Sequence, residues 1–372
     1  MNTDKIHHID YISEITNLDR CDFIASVLTS WQFDVAVAYI QSHHLNKGIL
    51  IVEAVPFSDV VKYRLSEDQV LMYEDLFEDI YFCKSRKQPY QIGNLIKCLF
   101  SCQEKDQLLW LRPLHNISLR LLSNIIKPHR EIHYVALDEG LTSYMPFMDT
   151  LKMMYTNTAV VYAKWFIQKA FNALSRLFIK GHEDFGLFYR EYSKLAPNKE
   201  VCTALRQVYM DRVHVEENSK RSILFFKDYL VIPEEQAIYI FEKILEGLKG
   251  REEDIIIKKH PSDTKSSFDE AILSKYPNVR IINAMISGEE LVATYQPNVI
   301  VGGFSTVIMS SSFIYDIPTI SFAGIYLQKG LATPIYEKQI KFFMNQLGDY
   351  IPFGQSTSEV CQKINEYLPL NS

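Results

Sequence analysis

Residues 222–263, SILFFKDYLVIPEEQAIYIFEKILEGLKGREEDIIIKKHPSD, contain a strand, a helix and a second strand in direct succession. The apolar run SILFFKDYL predicts the first strand, and DIIIKKHPSD predicts the second. Between them, Pro233 and the acids after it begin a helix that Gly250 ends. Two strands joined through a helix are typical of a parallel sheet.

The same alternation extends to both sides of this stretch. Towards the C-terminus, helix FDEAILSKY, strand VRIINA, helix GEELVATY, strand PNVIVGGFST, helix VIMSSSFIYD and strand PTISFAG follow in order. In the first half, CDFIASVLTS, GILIVEAVPF, QLLWLRPLH and IHYVALDEG are predicted strands, and WQFDVAVAYIQSHH is a predicted helix. The pattern therefore predicts an α/β protein whose parallel sheets carry helices on both faces.

The length of 372 residues suggests two domains. The polar stretch VHVEENSKR, residues 213–221, is predicted to be a linker. We therefore expect two Rossmann-like, doubly wound domains, residues 1–212 and residues 220–372. Two such domains facing each other across a cleft make up the GT-B architecture, in which ligands bind outside the carboxyl ends of the strands.

Composition excludes several classes of protein. The net charge of −6, from 39 basic and 45 acidic residues, argues against a nucleic-acid partner, which would need a basic excess. The six cysteines show no CxxC pair and no metal-finger spacing, so we expect neither a metal nor a cofactor. The sequence shows no signal peptide and no apolar run long enough to span a bilayer, which predicts a cytoplasmic protein.

Residues 150–182 form a basic segment that contains no acid. Lys152, Lys164, Lys169, Arg176 and Lys180 alternate there with aromatic side chains. This composition predicts a basic amphipathic helix, a type that can lie on an anionic membrane surface. The predicted peripheral contact covers residues 152–180, on the inner face of the cytoplasmic membrane. The alternative is a helix that packs between domains with its basic residues in solvent.

Three motifs lie at the ends of predicted strands, and the first is Asp138-Glu139-Gly140. Strand alternation directs one carboxylate into a cleft and the other towards the protein. Gly140 allows a sharp turn or a close approach of the backbone to a ligand. An acid beside another acid in a partly dry cleft suits a general base. The alternative is a strand that simply ends in solvent.

The second motif is IIIKKHPSD, in which His260 follows a strand and Pro261 stiffens the loop beyond it. A histidine there can donate a hydrogen bond or a proton to a phosphate. Lys258 or Lys259 would raise the local positive potential. Alternatively, His260 is a solvent-exposed residue at the end of a strand.

The third motif is PNVIVGGFSTVIMSSSF, where a buried strand leads through two glycines and two hydroxyls into a helix. Gly302 and Gly303 allow the backbone to approach an anion. Ser305 and Thr306, with the free amides of a helix start, can bind phosphate. The alternative for the hydroxyl pair is an ordinary helix cap.

Together, an acid-acid-Gly motif, a His-Pro motif and a Ser/Thr motif in this order resemble the bacterial GT-B sialyltransferases. That group includes lipooligosaccharide sialyltransferases and polysialic-acid capsule enzymes. The resemblance extends to ISGEEL, where Glu289 lies 29 residues after His260 and 16 before Ser305. A similar Ser-x-Glu-x-Leu stands there in some relatives, in which its Glu holds the nucleoside.

The resemblance implies a sialyltransferase that moves sialic acid from CMP-sialic acid to a glycan acceptor ending in galactose or sialic acid. The acceptor would be a lipooligosaccharide or a capsular polysaccharide, displacement would be direct and inverting, and no metal would be needed. Glu139 would be the base, Asp138 would position it or contact the sugar, and His260 would stabilise the departing phosphate. The implied donor-binding residues are Lys259, Pro261, Glu289, Gly302, Gly303, Ser305 and Thr306.

Two other functions remain open at this point. Another GT-B transferase with a UDP- or CDP-linked donor, such as a teichoic-acid or capsule polymerase, could share the His-Pro motif. A non-catalytic glycan- or nucleotide-binding protein could share the fold. The absence of an Asp-x-Asp motif favours a donor with a single phosphate, because metal-dependent transferases often use that motif to hold a diphosphate.

Overall fold

The structure of the protein is a computed structural model. It describes residues 5–11, 14–15, 21–54, 64–85, 106–113, 130–138, 140–145, 151, 159–163, 166, 179–192, 194–213, 221–229, 231–260, 263–283 and 286–369. The chain forms two compact units, Met1–Leu187 and Phe188–Ser372, called unit 1 and unit 2 below.

Unit 1 contains one sheet of seven strands, all of them parallel. The strands are β1 (Ile6–Tyr11), β2 (Phe23–Val27), β3 (Gly48–Glu53), β4 (Phe77–Ser85), β5 (Asp106–Pro113), β6 (Arg130–Leu137) and β7 (Ile179–Phe185). Their order across the sheet is β1-β4-β3-β2-β5-β6-β7. From β2 the chain adds β3 and β4 on one side and β5 to β7 on the other, so the order reverses between β2 and β5.

Unit 1 contains helices α1 (Ser30–Ser42) and α2 (Glu67–Leu71) and 3₁₀ turns at Glu74–Leu76 and Leu141–Tyr144, and residues 159–163 are also helical. Helix α1 begins where the Thr29 hydroxyl accepts a hydrogen bond from the backbone N–H of Gln32. It packs against β2, β5 and β6. Every residue of β2 and β3 is buried, as expected of central strands covered on both faces.

Unit 2 contains a parallel sheet of five strands and an antiparallel hairpin. The hairpin is β8 (Phe188–Glu191) with β9 (Lys194–Pro197). The sheet consists of β10 (Ser222–Lys227), β11 (Asp254–Lys259), β12 (Arg280–Ile282), β13 (Val299–Gly302) and β14 (Thr319–Ser321). Their order is β12-β11-β10-β13-β14, so the reversal lies between β10 and β13.

Eight helices accompany the described strands of unit 2. They are α3 (Lys199–Arg212), α4 (Glu234–Gly247), α5 (Ser267–Lys275), α6 (Gly288–Tyr295), α7 (Thr306–Tyr315), α8 (Ala323–Gln328), α9 (Pro334–Leu347) and α10 (Thr357–Tyr367). Helix α4 packs with α5 and α10, whereas α3, α6 and α7 pack with one another. Two separate groups of helices are what a doubly wound sheet requires, one for each face.

The core between the sheet of unit 2 and helices α6 and α7 explains the apolar runs of the sequence. It consists of Leu224, Phe226, Ile256, Leu291, Val292, Ile300 and Ile308, all buried. The chain turns polar only at the ends of these strands.

The predicted α/β class with two parallel sheets is confirmed. Strands β1, β4 and β7 and the β8–β9 hairpin were not predicted. The basic segment predicted to be a helix is helical at residues 159–163, but the prediction is wrong at its C-terminal end, because Ile179 and Lys180 belong to β7. Most of the remaining basic segment, including Lys152, Lys164, Lys169 and Arg176, lies outside the described residues. Within the described part of the chain, no helix is long and apolar enough to cross a membrane.

Candidate active site

Asp138, directly after β6, is completely buried and accepts four hydrogen bonds. Its Oδ1 accepts from the indole Nε1 of Trp31 at 3.1 Å and from the backbone N–H of Gly140 at 2.5 Å. Its Oδ2 accepts from the backbone N–H of Leu187 at 2.8 Å and from the Tyr144 hydroxyl. A carboxylate has about four lone-pair positions, so the protein itself occupies those of Asp138.

The turn after Asp138 depends on Gly140, whose φ of +94° strains any residue that has a Cβ. The 3₁₀ turn Leu141–Tyr144 then returns the Tyr144 hydroxyl to the Asp138 carboxylate. Of the predicted acid pair, Asp138 thus points into the protein. Glu139 lies outside the described residues.

In unit 2, three adjacent strands end at the same edge of the sheet. Lys227 at the end of β10 pairs with Lys259 at the end of β11, and Phe226 pairs with Gly302 at the end of β13. The residues that follow, Asp228, His260 and Gly303, are therefore brought together at the carboxyl edge, beside the point where the strand order reverses.

His260 is exposed, and its ring stacks on that of Tyr229, with centroids 5.5 Å apart and planes 12° from parallel. Protein atoms around the ring displace part of its hydration and lower its pKa below 6.5, and the positive charge of Lys258 lowers it further. The carboxylate of Asp263 opposes these effects. A neutral imidazole at this position can take up a proton when an anion arrives. Pro261 lies outside the described residues.

The lysines near His260 are buried and largely engaged. Lys227 Nζ contacts Asp263 Oδ2 at 2.5 Å and Glu234 Oε2 at 3.0 Å. Lys259 Nζ lies 2.9 Å from Asp269 Oδ1. Carboxylates therefore offset the positive potential that the sequence predicts from Lys259.

Lys258 has a different environment from Lys259. Its Nζ donates to the backbone oxygen of Lys259 at 2.9 Å, and burial lowers the pKa of its amine. Of the two lysines, Lys258 is the one whose charge acts on His260.

Gly302 and Gly303 are required by packing. A Cβ built on Gly302 would lie 2.3 Å from Ile308 Cδ1. A Cβ on Gly303 would lie 1.8 Å from Asp228 Oδ2 and 2.3 Å from the Tyr326 hydroxyl oxygen. The space that a side chain would fill at these positions is thus occupied by the protein, and the glycines let the ends of β10 and β13 approach each other.

Ser305 and Thr306 form the start of α7. Ser305 is the N-cap residue, but its side chain makes no capping hydrogen bond. Its Oγ is buried and has no hydrogen-bond partner among the residues that the structure describes. The first-turn amides of α7 therefore lack a side-chain cap, and a helix start in this state attracts anions.

Glu289 lies in the first turn of α6 and is buried. Its Oε1 accepts from the Ser310 hydroxyl of α7 at 2.6 Å, and its backbone oxygen accepts from the Tyr315 hydroxyl at 2.8 Å. The starts of α6 and α7 also touch, since a Cβ on Gly288 would lie 2.4 Å from Val307 Cγ2. Glu289 and the Ser305–Thr306 pair therefore belong to one region.

Three residues at this edge were not predicted as part of the site. Asp228 and Tyr229 directly follow the apolar run of β10, so their position at a strand end was a usable signal. Tyr326 carries no such signal, because it reaches the edge from α8. Its hydroxyl donates to Asp228 Oδ2 at 2.8 Å. Among the described residues, no group of three or more His, Cys, Asp or Glu could hold a metal ion.

Comparison with known proteins identifies the class of enzyme to which the chain belongs. Residues 23–323 match the sequence model of the family described as alpha-2,8-polysialyltransferase (POLYST). The chain is therefore a sialyltransferase, a glycosyltransferase that acts with sialic acid. It belongs to the alpha-2,8-polysialyltransferase family. No curated protein sequence matches the chain.

Solved structures with similar folds share little sequence with the chain. The GT-B domain of a sialyltransferase from Photobacterium damselae is 11% identical, with a TM-score of 0.41, covering 89% of this chain and 97% of that one. A putative UDP-N-acetylglucosamine 2-epimerase from Listeria monocytogenes is 10% identical, with a TM-score of 0.48 and coverages of 94% and 88%. The UDP-GlcNAc 2-epimerase from Methanocaldococcus jannaschii is 10% identical, with a TM-score of 0.47 and coverages of 98% and 94%. The family match, which spans most of the chain, is what identifies the class of enzyme.

Proposed function

We propose that this sialyltransferase takes sialic acid from CMP-sialic acid and adds it to a glycan acceptor that ends in galactose or sialic acid. The family description favours an acceptor ending in sialic acid and an alpha-2,8 linkage, as in a capsular polysaccharide. Lipooligosaccharide is the alternative acceptor. Of the predicted domains, residues 1–212 are assigned to the acceptor and residues 220–372 to the nucleotide sugar. Residues 188–212, which contain the β8–β9 hairpin and α3, lie in unit 2.

The observation that carries the donor assignment is the carboxyl edge of the sheet in unit 2. There the start of α7 offers backbone amides without a side-chain cap and the Ser305 hydroxyl, which has no partner among the described residues, and Thr306 is the next residue. His260 directly follows β11, the strand on the other side of β10. A single phosphate fits such a set of neutral donors, with His260 as the group that gains charge when the phosphate binds. Glu289 is the residue that we assign to the nucleoside.

The catalytic roles follow from where charge develops. In a direct displacement, the acceptor oxygen attacks the anomeric carbon while the bond to the CMP phosphate breaks, so the configuration of that carbon inverts. Glu139 takes the proton from the acceptor hydroxyl. His260 donates to the phosphate as its negative charge grows, and such a donor is worth more in the transition state than in the ground state. Asp138 holds the backbone that carries Glu139.

The decisive experiment is a donor screen with the purified protein and a sialic-acid-ended acceptor. CMP-sialic acid should be consumed with release of CMP, and UDP-, CDP- and GDP-linked sugars should not be. Consumption of another nucleotide sugar in place of CMP-sialic acid would refute the donor assignment. Donor hydrolysis in the absence of acceptor separates an enzyme from a protein that only binds nucleotides.

Two further properties of the reaction can be measured in the same assay. The anomeric configuration of the product, determined by NMR, should be opposite to that of the donor. Transfer should continue after treatment with EDTA, because a donor with one phosphate can be held by protein groups alone. Loss of activity that magnesium restores would contradict metal independence.

Of the membrane contact predicted for residues 152–180, we propose residues 152–178, which would lie on the inner face of the cytoplasmic membrane, since Ile179 and Lys180 belong to β7. The basis is the sequence, which combines four basic residues and several aromatic residues with no acid. The protein should then co-sediment with anionic vesicles and be released as salt screens the attraction. Replacing Lys164, Lys169 and Arg176 by Gln should abolish vesicle binding and leave turnover of a soluble acceptor unchanged. Absence of vesicle binding at low salt would refute this contact.

A further inference from the structure

Asp228 occupies an unusual position for a carboxylate, at the end of β10 against the backbone of the Gly303–Phe304 turn. Its Oδ2 accepts from the backbone N–H of Phe304 at 2.8 Å and from the Tyr326 hydroxyl at 2.8 Å. The same oxygen occupies the position that a Cβ would need at residue 303, which is a glycine. One carboxylate oxygen thus joins the end of β10, the turn after β13 and helix α8.

The turn that Asp228 holds leads directly into the start of α7. Phe304 precedes Ser305, the N-cap residue whose Oγ has no hydrogen-bond partner in the described part of the chain. The direction of the first amides of α7 therefore depends on the Gly303–Phe304 backbone. A shift of that backbone would move the Ser305 hydroxyl and the first amides of α7, which the phosphate is expected to use together with His260.

The position of Asp228 is costly for the fold. Its second oxygen, Oδ1, is buried without a hydrogen-bond partner among the described residues. Burial raises the pKa of Asp228 to about 6, against the opposing effects of the Phe304 amide, the Tyr326 hydroxyl and Lys227. Burying a charged group with incomplete hydrogen bonding destabilises a protein. A residue that served only to stabilise the fold would not be expected to combine a raised pKa with a buried oxygen that lacks a hydrogen-bond partner among the described residues.

We propose that Asp228 is a positioning residue that fixes the Gly303–Phe304 turn, and thereby aligns Ser305 and the first amides of α7 with the donor phosphate. Tyr326 acts as its second anchor. This inference rests on the proposed function, in which the start of α7 holds the phosphate of CMP-sialic acid. It predicts that loss of the anchor weakens donor binding without affecting the acceptor.

The variants separate anchoring from charge. Asp228→Ala removes the anchor. Asp228→Asn removes the charge but keeps an oxygen that can accept from Phe304 and Tyr326. Tyr326→Phe removes one of the two bonds to Oδ2. The matched control is Tyr276→Phe, at the residue that directly follows α5. This change deletes a hydroxyl that donates to the backbone oxygen of Glu242 at 3.1 Å.

The first measurement needs no ligand. Amide hydrogen exchange of residues 303–308 should be at least about tenfold faster in Asp228→Ala than in wild type, since a backbone hydrogen bond and its support are lost. It should be close to wild type in Asp228→Asn and Tyr276→Phe. Unchanged exchange in Asp228→Ala would overturn the proposal whatever the donor is. Should that variant not fold, the same comparison is made with Tyr326→Phe, which removes no backbone partner and should accelerate exchange less.

The second measurement is the affinity for CMP by calorimetry, with donor and acceptor KM values from the transfer assay. Asp228→Ala should bind CMP about tenfold more weakly and raise the donor KM by a similar factor, with an unchanged acceptor KM. Asp228→Asn should restore affinity to within about threefold, and its melting temperature should equal or exceed that of wild type. If both variants bind CMP more tightly than wild type, Asp228 acts only as a repelling charge and the proposal is wrong. A wild-type protein that binds UMP but not CMP would refute the donor assignment, and the exchange measurement would still decide the role of Asp228.

Discussion

The carboxyl ends of the two sheets carry opposite kinds of polar group. In unit 1, the carboxylate of Asp138 is buried and accepts four hydrogen bonds from the protein. In unit 2, the Oγ of Ser305 and the Oδ1 of Asp228 are buried without a partner among the described residues. Complete hydrogen bonding fixes a group and withholds it from chemistry, whereas an unpaired buried group calls for an explanation such as a missing ligand.

This difference explains our assignment of the two acids after β6. Every lone-pair position of Asp138 is used by the protein, so Asp138 has none left for an acceptor hydroxyl. The neighbouring residue, Glu139, is therefore the proposed base, and Asp138 is assigned a supporting role. Four predictions test the roles assigned to the two edges, in order of decreasing expected effect.

The largest effect is expected from Glu139→Gln, which removes the proposed base and keeps its size. General base catalysis contributes about 10²- to 10⁴-fold, so transfer should fall by a factor in that range. Donor hydrolysis without acceptor should fall far less, because that reaction needs no deprotonated acceptor. The control is Glu78→Gln on the exposed side of β4, which should leave both rates unchanged. Nearly normal transfer in Glu139→Gln would contradict the assignment.

His260→Ala should lower transfer by about 10²- to 10³-fold, the range found when one donor to a developing negative charge is removed. Unlike Glu139→Gln, it should slow acceptor-free donor hydrolysis by a similar factor, because both reactions expel CMP. Comparing the two rates in the two variants checks the separation of roles. Equal losses of hydrolysis in both variants would show that the roles are not separate, and a lower melting temperature with normal turnover would mean that His260 is structural.

Asp138→Asn should act mainly on stability. The amide NH₂ that replaces one carboxylate oxygen cannot accept a hydrogen bond. On the Oδ2 side, where the Tyr144 hydroxyl can turn and accept from it, the bond from the Leu187 backbone N–H is lost. At about 1.5–3 kcal/mol for a hydrogen bond to a charged group, the free energy of unfolding should fall by about 2 kcal/mol. The same change at Asp184, an exposed residue of β7 paired with His182, should cost less than about 1 kcal/mol. A stable but inactive Asp138→Asn protein beside an active Glu139→Gln protein would mean that Asp138, and not Glu139, is the base.

The sequence predicts unit 2 better than unit 1, and the difference has a physical cause. The segment GEELVATY coincides with α6, because Ser287 and Glu290 form a capping box at its start. The central strands of both sheets are continuous apolar runs, since they are buried on both faces. Strands β1 and β7 are the edges of the sheet in unit 1, and their sequences, IHHIDY and IKGHEDF, mix polar and apolar residues. No apolar run marks them as strands.

For the site, the strand-end rule located His260, Ser305 and Asp138, but it could not show what each one touches. The glycine pair was predicted to admit an anion, whereas the structure fills the missing side-chain space with Ile308, Asp228 and Tyr326. The bond between Asp228 and Phe304 joins residues 76 positions apart. Only the pairing of β10 with β13 brings them together, and a local sequence pattern carries no information about it.

The smallest predicted effect is a pH dependence of CMP binding that belongs to His260. In the free protein, partial burial and then Lys258 lower the pKa of His260 below 6.5, so the ring is mostly neutral at pH 7. A bound phosphate stabilises the protonated ring and raises the pKa of His260. Between the pKa of the free protein and that of the complex, CMP binding therefore takes up a proton. His260 contributes more to CMP affinity as the pH falls through this window. The phosphate of CMP also titrates near pH 6, which opposes the trend in wild type alone.

The ratio of CMP dissociation constants, His260→Ala over wild type, removes the titration of the ligand and of Asp228, because these are common to both proteins. Measured by calorimetry, the ratio should be several-fold larger at pH 5.5 than at pH 8, with an upper limit of about tenfold if the phosphate raises the pKa of His260 by about one unit. A ratio that stays constant over this range would mean that His260 carries no charge in the complex. In that case it would act on the phosphate as a neutral hydrogen-bond donor, and the edge of unit 2 would hold its anion with uncharged groups and the helix start alone.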